Sequence, residues 1–449
     1  MPPDDDAPPN AATADAATHE ARNFFALAVH QIVLRIGWTF KTESIIIPAF
    51  LDAIGGTAVL RGLLPDLHRF GTSIPPVIYA RRLKLAPRKK WAFLMSTIGM
   101  GVPFLLLALL CASGTVEPIK GKSDPTTVAW MPWLFLLFYG LHFVFVGISR
   151  LSMNTLQGKL IRANLRGRLF AASTVIGAPV GIALAWWKLG EWLEQPDGFV
   201  WVFAFSGGMF LAAAFAALLL REPPDKVRDD GGNGLVGHFR TAWQVLRTDR
   251  DFRRLVTVAM LFSTVLMLMP HYQAFGRERL GQRTPDLMLW VVVQHSAMIL
   301  FTLLAGPFAD RSGNRAAMHF TILGSAATPL IALGLSMLGS ERGGQFFWLV
   351  FVPVGLTSVT VRLMTHYVLE IAAPAEHPRY ISTFGLCFAL PVMVGGVPIG
   401  WLVQAVGFEP VFLGGAALIG LGGLLSFRLA EPRHARAEPA VDVGPDAVV

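Results

Sequence analysis

Ten stretches of this chain are long, apolar and nearly free of charge, and a polypeptide that carries them can bury them in a lipid bilayer. They run near Trp91–Ser113, Ala129–Thr155, Leu169–Leu189, Phe199–Leu220, Leu255–Phe275, Leu287–Ala309, Ala316–Ser340, Phe346–Ala372, Tyr380–Val406 and Pro410–Phe427. A helix crossing a hydrocarbon core of about 30 Å needs roughly 20 such residues. Two further stretches, Phe24–Leu51 and Thr57–Ala80, have the length but carry charges: Arg35, Lys41 and Glu43 in the first, Asp66, His68 and Arg69 in the second. Together they predict an all-α membrane protein of twelve transmembrane helices. Only 15% of the residues are charged and 53% are hydrophobic, whereas soluble domains run nearer a quarter charged.

Lysines and arginines orient such a protein, because short cytoplasmic loops collect them. With the N-terminus inside, 25 of the 38 fall on the cytoplasmic side, in groups around Arg81–Lys90, Lys159–Arg168 and Arg221–Arg254. Eight fall outside: Arg61, Lys120, Lys122, Lys188, Arg277, Arg279, Arg283 and Arg342. The expectation is a multi-pass protein of the plasma (inner) membrane with both termini cytoplasmic. This distribution accounts for the net charge of +8 without nucleic acid. The acidic leader 1–21 has neither the basic start nor the apolar core of a secretory signal, and it reads as disordered, as does the tail 431–449.

The chain repeats itself. Phe199, Val202, Phe203, Glu222 and Pro223 return 209 residues later as Phe408, Val411, Phe412, Glu431 and Pro432. Arg150-Leu151 returns as Arg362-Leu363. The implied organisation is a six-helix half over 22–220, a linker over 221–253 and a second six-helix half over 254–430, with a site expected between the halves near the midplane. In the linker, Leu235, Phe239, Trp243 and Leu246 fall at helical spacing among basic residues. That pattern suits an amphipathic helix on the inner membrane surface or a solvated connector.

Between two apolar runs lies GPFADRSGNR, residues 306–315. Its glycines permit a tight turn and close approach. Its aspartate, at a helix end, can meet the positive N-terminus of a neighbouring helix. With the spans and the duplication, this segment resembles the motif G-x-L-A-D-R-x-G-R-[KR] of the major facilitator superfamily, in its fainter second copy. Gly306, Ala309, Asp310, Arg311, Gly313 and Arg315 match; Phe308 and Asn314 depart from it. The resemblance implies two pseudo-symmetric six-helix bundles and a secondary active transporter that moves a small solute by alternating access. It also implies an inner charge latch at Gly306, Asp310, Arg311, Gly313 and Arg315, against the plainer reading of headgroup anchors. The first-half loop PPVIYARRLKLAPRKK, from Pro75 to Lys90, has no glycine and no acid, so the second half is expected to bear the latch alone.

Ionisable residues inside spans are costly and mark functional positions. Gln31, Arg35, Trp38 and Thr42 form one stripe of the first helix, while Lys41 and Glu43 project elsewhere. Arg150 with Asn154, and Arg362 with His366, are i, i+4 pairs on the fourth and tenth helices, which line the cavity in the family. The candidate substrate residues are therefore Gln31, Arg35, Trp38, Arg150, Asn154, Arg362 and His366, with an anion expected between Arg150 and Arg362 because a guanidinium fork suits a carboxylate or phosphate. An internal arginine–glutamate network is the rival reading. Glu43 and Asp66 are the candidate sites for coupling to protons or another ion; Asp66 and Arg69 also fit an ion pair with the first helix. His271 and His295 read as hydrogen-bonded structural histidines. No cofactor, metal or catalytic motif is expected: GKS at 121–123 lacks the phosphate-loop spacing, and Cys111 and Cys387 are isolated. The alternative to a transporter is a receptor or scaffold on the same fold.

Overall fold

The computed structural model describes residues 19–116, 129–225 and 235–431; most of the acidic leader, the tail beyond Glu431 and the segment with Lys120 and Lys122 lie outside them. Helices and turns make up the described residues, and nine helices there are long and apolar enough to cross a membrane. The first half runs α1 (Glu20–Phe40), α2 (Ile46–Ala53), α3 (Ala58–Leu85), α4 (Lys90–Ala112), α5 (Trp130–Leu160), α6 (Ala163–Leu184), α7 (Gly190–Glu194) and α8 (Gly198–Phe215). After the linker helix α9 (Leu235–Thr248) come α10 (Arg250–Phe262), α11 (Thr264–Leu280), α12 (Leu287–Ser336), α13 (Gly339–Gln345), α14 (Phe351–Val354), α15 (Leu356–Ile371), α16 (His377–Val406) and α17 (Phe408–Ser426).

Two elements differ from the sequence expectation. The helix α12 holds two expected spans end to end, broken at Gly313, whose φ of 87° and ψ of 153° only glycine adopts readily. The first span does not run unbroken to Leu51. It stops at Phe40, and the chain opens from Lys41 to Ile45 before α2 resumes it. The Thr42 carbonyl accepts the amides of Ile45, Ile46 and Ile47 and so restarts the helix. The opening places Thr42 beyond the helix, buried and donating to the Thr39 carbonyl, so the stripe of α1 ends at Trp38.

Each half packs around its own aromatic core. Phe199 and Phe203 meet Phe50 in the first; Phe408 and Phe412 meet Phe275 in the second. The two ends of the bundle differ in charge. One, which we term the basic end, carries Arg81–Lys90, Lys159–Arg168, Arg221 and Arg311–Arg315; the other, the sparse end, carries Asp52, Arg61, Glu278 and Gly407. The α9 helix packs on α16 through Ala242 and Val245, which are buried, and turns Phe239 and Trp243 outward, with the Arg247 guanidinium 4.7 Å from the Trp243 ring. Its apolar residues thus divide between two faces instead of forming the single stripe read from spacing.

Candidate functional site

Helices α3 and α16 form the largest contact between the halves, and small residues are the reason. Gly62 touches the backbone of Gly396, and Gly400 touches that of Ala58; a Cβ at any of these glycines would collide with main-chain atoms. Polar links reinforce this sparse-end closure. Arg61 donates to Asp52 of its own half at 2.8 Å and to Glu278 of the other at 3.3 Å. Gln273 donates to Asp52 at 2.7 Å, and Ser44 to Gln294 at 2.7 Å. The Asp66 carboxylate accepts the backbone amides of Gly396, at 2.9 Å, and Val397, at 3.3 Å. The expected ion pair of Asp66 with the first helix is absent; its partner is the backbone of α16.

Behind this closure lie two cavities that share one lining residue. One of about 440 Å³ is lined by His68, Arg69, Arg150, Gln294, His295 and Ser358 among others. A second of about 320 Å³ takes in Gln31, Trp38, Arg150, Asn154, Gln157 and Phe170, and so reaches within three residues of the basic end of α5. Arg150 belongs to both and is exposed, which places its guanidinium in open space among the helices.

The opening at Lys41–Ile45 shapes the wall of these cavities. The Lys41 ammonium is buried 3.4 Å from the Trp38 ring centroid and 3.0 Å from Glu43. The other Glu43 oxygen lies 2.6 Å from His68 Nδ1. Glu43 therefore bonds directly to two partners of its own half and to neither Arg150 nor Arg362, although its charge attracts Arg69 and Arg150 through space. Arg35 donates to Thr174 at 3.1 Å, and Gln31 accepts from Ser173 at 3.0 Å. Arg35 and Arg362 approach the same ring, Phe170, at 5.9 and 5.1 Å from opposite halves. Arg69 stands 4.9 Å from Phe388. Among the described residues, Arg69, Arg150 and Arg362 make no hydrogen bond or ion pair. Arg69 and Arg150 line these cavities and Arg35 and Arg362 meet at Phe170, itself part of the second cavity's wall, so that the four guanidiniums can stabilise a negative charge there.

Other candidates are placed differently. His366 is exposed one turn beyond Arg362, and neither of the two lines either cavity, Arg362 instead standing at the Phe170 ring. His295 donates from Nδ1 to the Val291 carbonyl, 2.9 Å away, as a structural histidine does. His271 is buried, and both its ring nitrogens lack a hydrogen-bond partner, contrary to expectation. Phe170, Ser173 and Thr174 were not singled out from the sequence; His68 and Arg69 stood out there as charges within a span, Arg69 as an ion-pair candidate and neither as a substrate residue.

At the basic end, Gly313 makes the turn of the 306–315 segment with the Glu431 carboxylate packed against it. Arg315 lies 3.4 Å from Glu431 and donates to the Leu429 carbonyl at 2.8 Å, and Asn314 donates to Glu370 at 2.9 Å. Asp310 and Arg311 are exposed. Space around Gly306 is open, so close helix approach does not require that glycine.

The family model described as Major Facilitator Superfamily matches residues 44–282 and 277–447. Among curated proteins the chain is similar to human solute carrier family 67 member A1, at 32% identity over 130 residues, 28% of this chain and 30% of that protein. It is also similar to rat solute carrier family 22 member 18, at 33% over 131 residues, 28% of this chain and 31% of that protein. The match thus spans under a third of the length of these relatives. Solved structures share the fold at low identity. A nucleoside transporter superposes with a TM-score of 0.70 at 11% identity, covering 90% of this chain and 99% of that one. A D-xylose-proton symporter gives 0.65 at 14%, covering 91% and 98%. A bacterial homologue of the lysosomal transporter Spinster, inward-facing and unoccupied, gives 0.64 at 14%, covering 94% and 99%.

Proposed function

The chain belongs to the Major Facilitator Superfamily, and from that premise we propose that it is a secondary transporter that carries a small anion by alternating access. The observation that carries the anion is the arginine set around the cavity. An unpaired charge inside a membrane costs at least about 2.5–3.5 kcal/mol; Glu43 attracts Arg69 and Arg150 only through space, and Arg69, Arg150 and Arg362 make no direct ion pair among the described residues. A carboxylate or phosphate between Arg150 of one half and Arg362 of the other would supply the missing partner in a planar, bidentate fashion. Gln31, Trp38 and Asn154 line the same space, and Arg35 flanks it. A receptor or scaffold on this fold would have no need of guanidiniums left open in a cavity.

The basic end is assigned to the cytoplasm by the positive-inside rule. On that assignment the sparse-end closure makes this shape inward-open.

Uptake into proteoliposomes, screened over organic acids, phosphate esters, sugars, amino acids and lipophilic cations, tests the reading. Arg150→Lys and Arg362→Lys keep the charge and lose the fork. Losing one charge-assisted bond, about 1.5–3 kcal/mol, predicts an uptake loss of roughly 10- to 150-fold, with the apparent melting temperature nearly unchanged. Normal transport by both variants would end the anion reading.

A further inference from the structure

The cavity arginines fall into two pairs at two depths. Arg69 and Arg150, both of the first half, line the larger cavity opposite Gln294 and Ser358. They lie close to the buried Lys41–Glu43 ion pair, whose charges act on Arg150 through space. Arg35 and Arg362 meet from opposite halves at the Phe170 ring. Arg35 precedes Lys41 by six residues on α1, which sets this second pair about 9 Å nearer the basic end. Lys41 and Glu43 cancel in the sum of charges, so a single monoanion leaves three of the four guanidiniums uncompensated in the membrane.

From this geometry we propose that the substrate is a two-ended anion, with a carboxylate or phosphate at each end of a short apolar spacer; this rests on the anion reading and narrows its substrate class. One end takes Arg69 and Arg150. The other takes Arg35 and Arg362, again through the planar, bidentate fork of a guanidinium. The smaller cavity, with Arg150 and Phe170 in its wall, joins the two depths. Leu34, Trp38, Val146 and Met153 make much of that wall apolar, which suits a hydrocarbon or aromatic spacer and not a polar one.

The two ends have different consequences. Arg69 and Arg150 belong to one half, so an anion held there draws nothing together. Arg35 and Arg362 belong to different halves and repel each other through space. Rocking the basic end shut brings the halves, and with them these two charges, together, and the empty protein meets that repulsion. An anionic group between the two guanidiniums turns the repulsion into two attractions, so this end of the substrate favours the shut state. A ligand shifts such an equilibrium only by its differential affinity for the two states. A monoanion seated on Arg69 and Arg150 has none, and it fills the site without closing it.

Calorimetric binding to the purified protein tests this with matched probes. These are α,ω-dicarboxylates and ω-phosphonocarboxylates graded in length around about 9 Å, each beside the amide of one carboxylate, which keeps the length and loses a charge. At the best length the dianion should bind roughly tenfold tighter or more, as one charge-assisted bond implies. Spin labels at Asn164→Cys and Ala375→Cys, exposed positions of either half at the basic end, should approach with the dianion and stay apart with the amide. Labels at Ala129→Cys and Val406→Cys follow the sparse end, with Cys111 and Cys387 replaced by alanine. Arg362→Gln should bring the dianion's advantage to about one and abolish the approach. Should that variant fail to fold, Arg35→Gln carries the same expectation. Equal binding of dianion and amide at every length would overturn the two-ended substrate and leave the anion reading standing. An advantage that survives these substitutions would overturn the roles of Arg35 and Arg362. If no probe of either charge binds, the anion reading falls as well, a result distinct from equal binding.

Discussion

At the sparse end, Gly62 and Gly396 bring two main chains of different halves into contact, and Asp66 and Arg61 reach across to the opposite half. The charge networks described at the basic end behave otherwise: they tie each half to itself. Glu222 is fully buried in its side chain and accepts the amides of Lys89 at 3.0 Å and Lys90 at 2.8 Å, at the start of α4, along with the Lys159 ammonium at 3.0 Å. Asp225 adds bonds to Lys89 and Lys159. Burial opposes ionisation of Asp225, but the two ammonium groups outweigh it and hold its carboxyl below the usual aspartate range. In the second half Glu431 stands in the matching place, against Gly313 and Arg315. The difference teaches which contacts a rocking motion must break. The sparse-end set belongs to one state; the Glu222 and Glu431 sets belong to the fold of each half.

Glu222→Ala should therefore have the largest effect on stability and little on the gate. Removing one partner of a buried ionic cluster costs about 3–5 kcal/mol, read as a large drop in melting temperature, while sparse-end label distances in the surviving protein stay unchanged. Glu431→Ala should cost less, because its ion pair with Arg315 is longer and partly exposed. Equal losses would mean that the second half depends on its cluster as much as the first.

Gly62→Ala comes next and should act in the opposite sense. A Cβ there meets the Gly396 backbone, which cannot rotate away. Overpacking of this kind costs about 1–3 kcal/mol, here charged only to the closed state, so open populations should rise roughly 5- to 150-fold. Gly208→Ala, with open space around its Cβ, is the control. A closed gate in Gly62→Ala would show that α3 and α16 can seal by another packing.

Much of this architecture was legible in the sequence, because apolar length and glycine turns act locally. The runs from Trp91 onward predict their helices, and the Gly313 turn follows from the 306–315 segment. The cavity arginines Arg35, Arg150 and Arg362 were also legible, since charge in an apolar run has few innocent explanations. The partners were not. Asp66 binds backbone amides of α16, and an amide leaves no residue-type trace in a sequence. The break at Lys41–Ile45 was hidden too. A buried lysine resting on Trp38 and bonded to Glu43 is a tertiary arrangement, and helical spacing alone extends the stripe through it to Thr42.

The smallest expected effect comes from Glu278→Gln. Arg61 keeps its 2.8 Å bond to Asp52 within the first half, so the substitution removes only the 3.3 Å reach to the second. The Glu278 side chain is 54% exposed, and pairs so open to water contribute about 0–1 kcal/mol. The open population should thus rise by a factor of roughly five at most, and the increment should shrink further in high salt, where exposed charges are screened. Double-label distances on Glu278→Gln, measured beside those on Gly62→Ala at low and high salt, make the comparison quantitative. If Glu278→Gln opened the gate as far as Gly62→Ala, charge and not main-chain contact would hold the sparse end shut, and the glycine pair would be a consequence of closure rather than its cause.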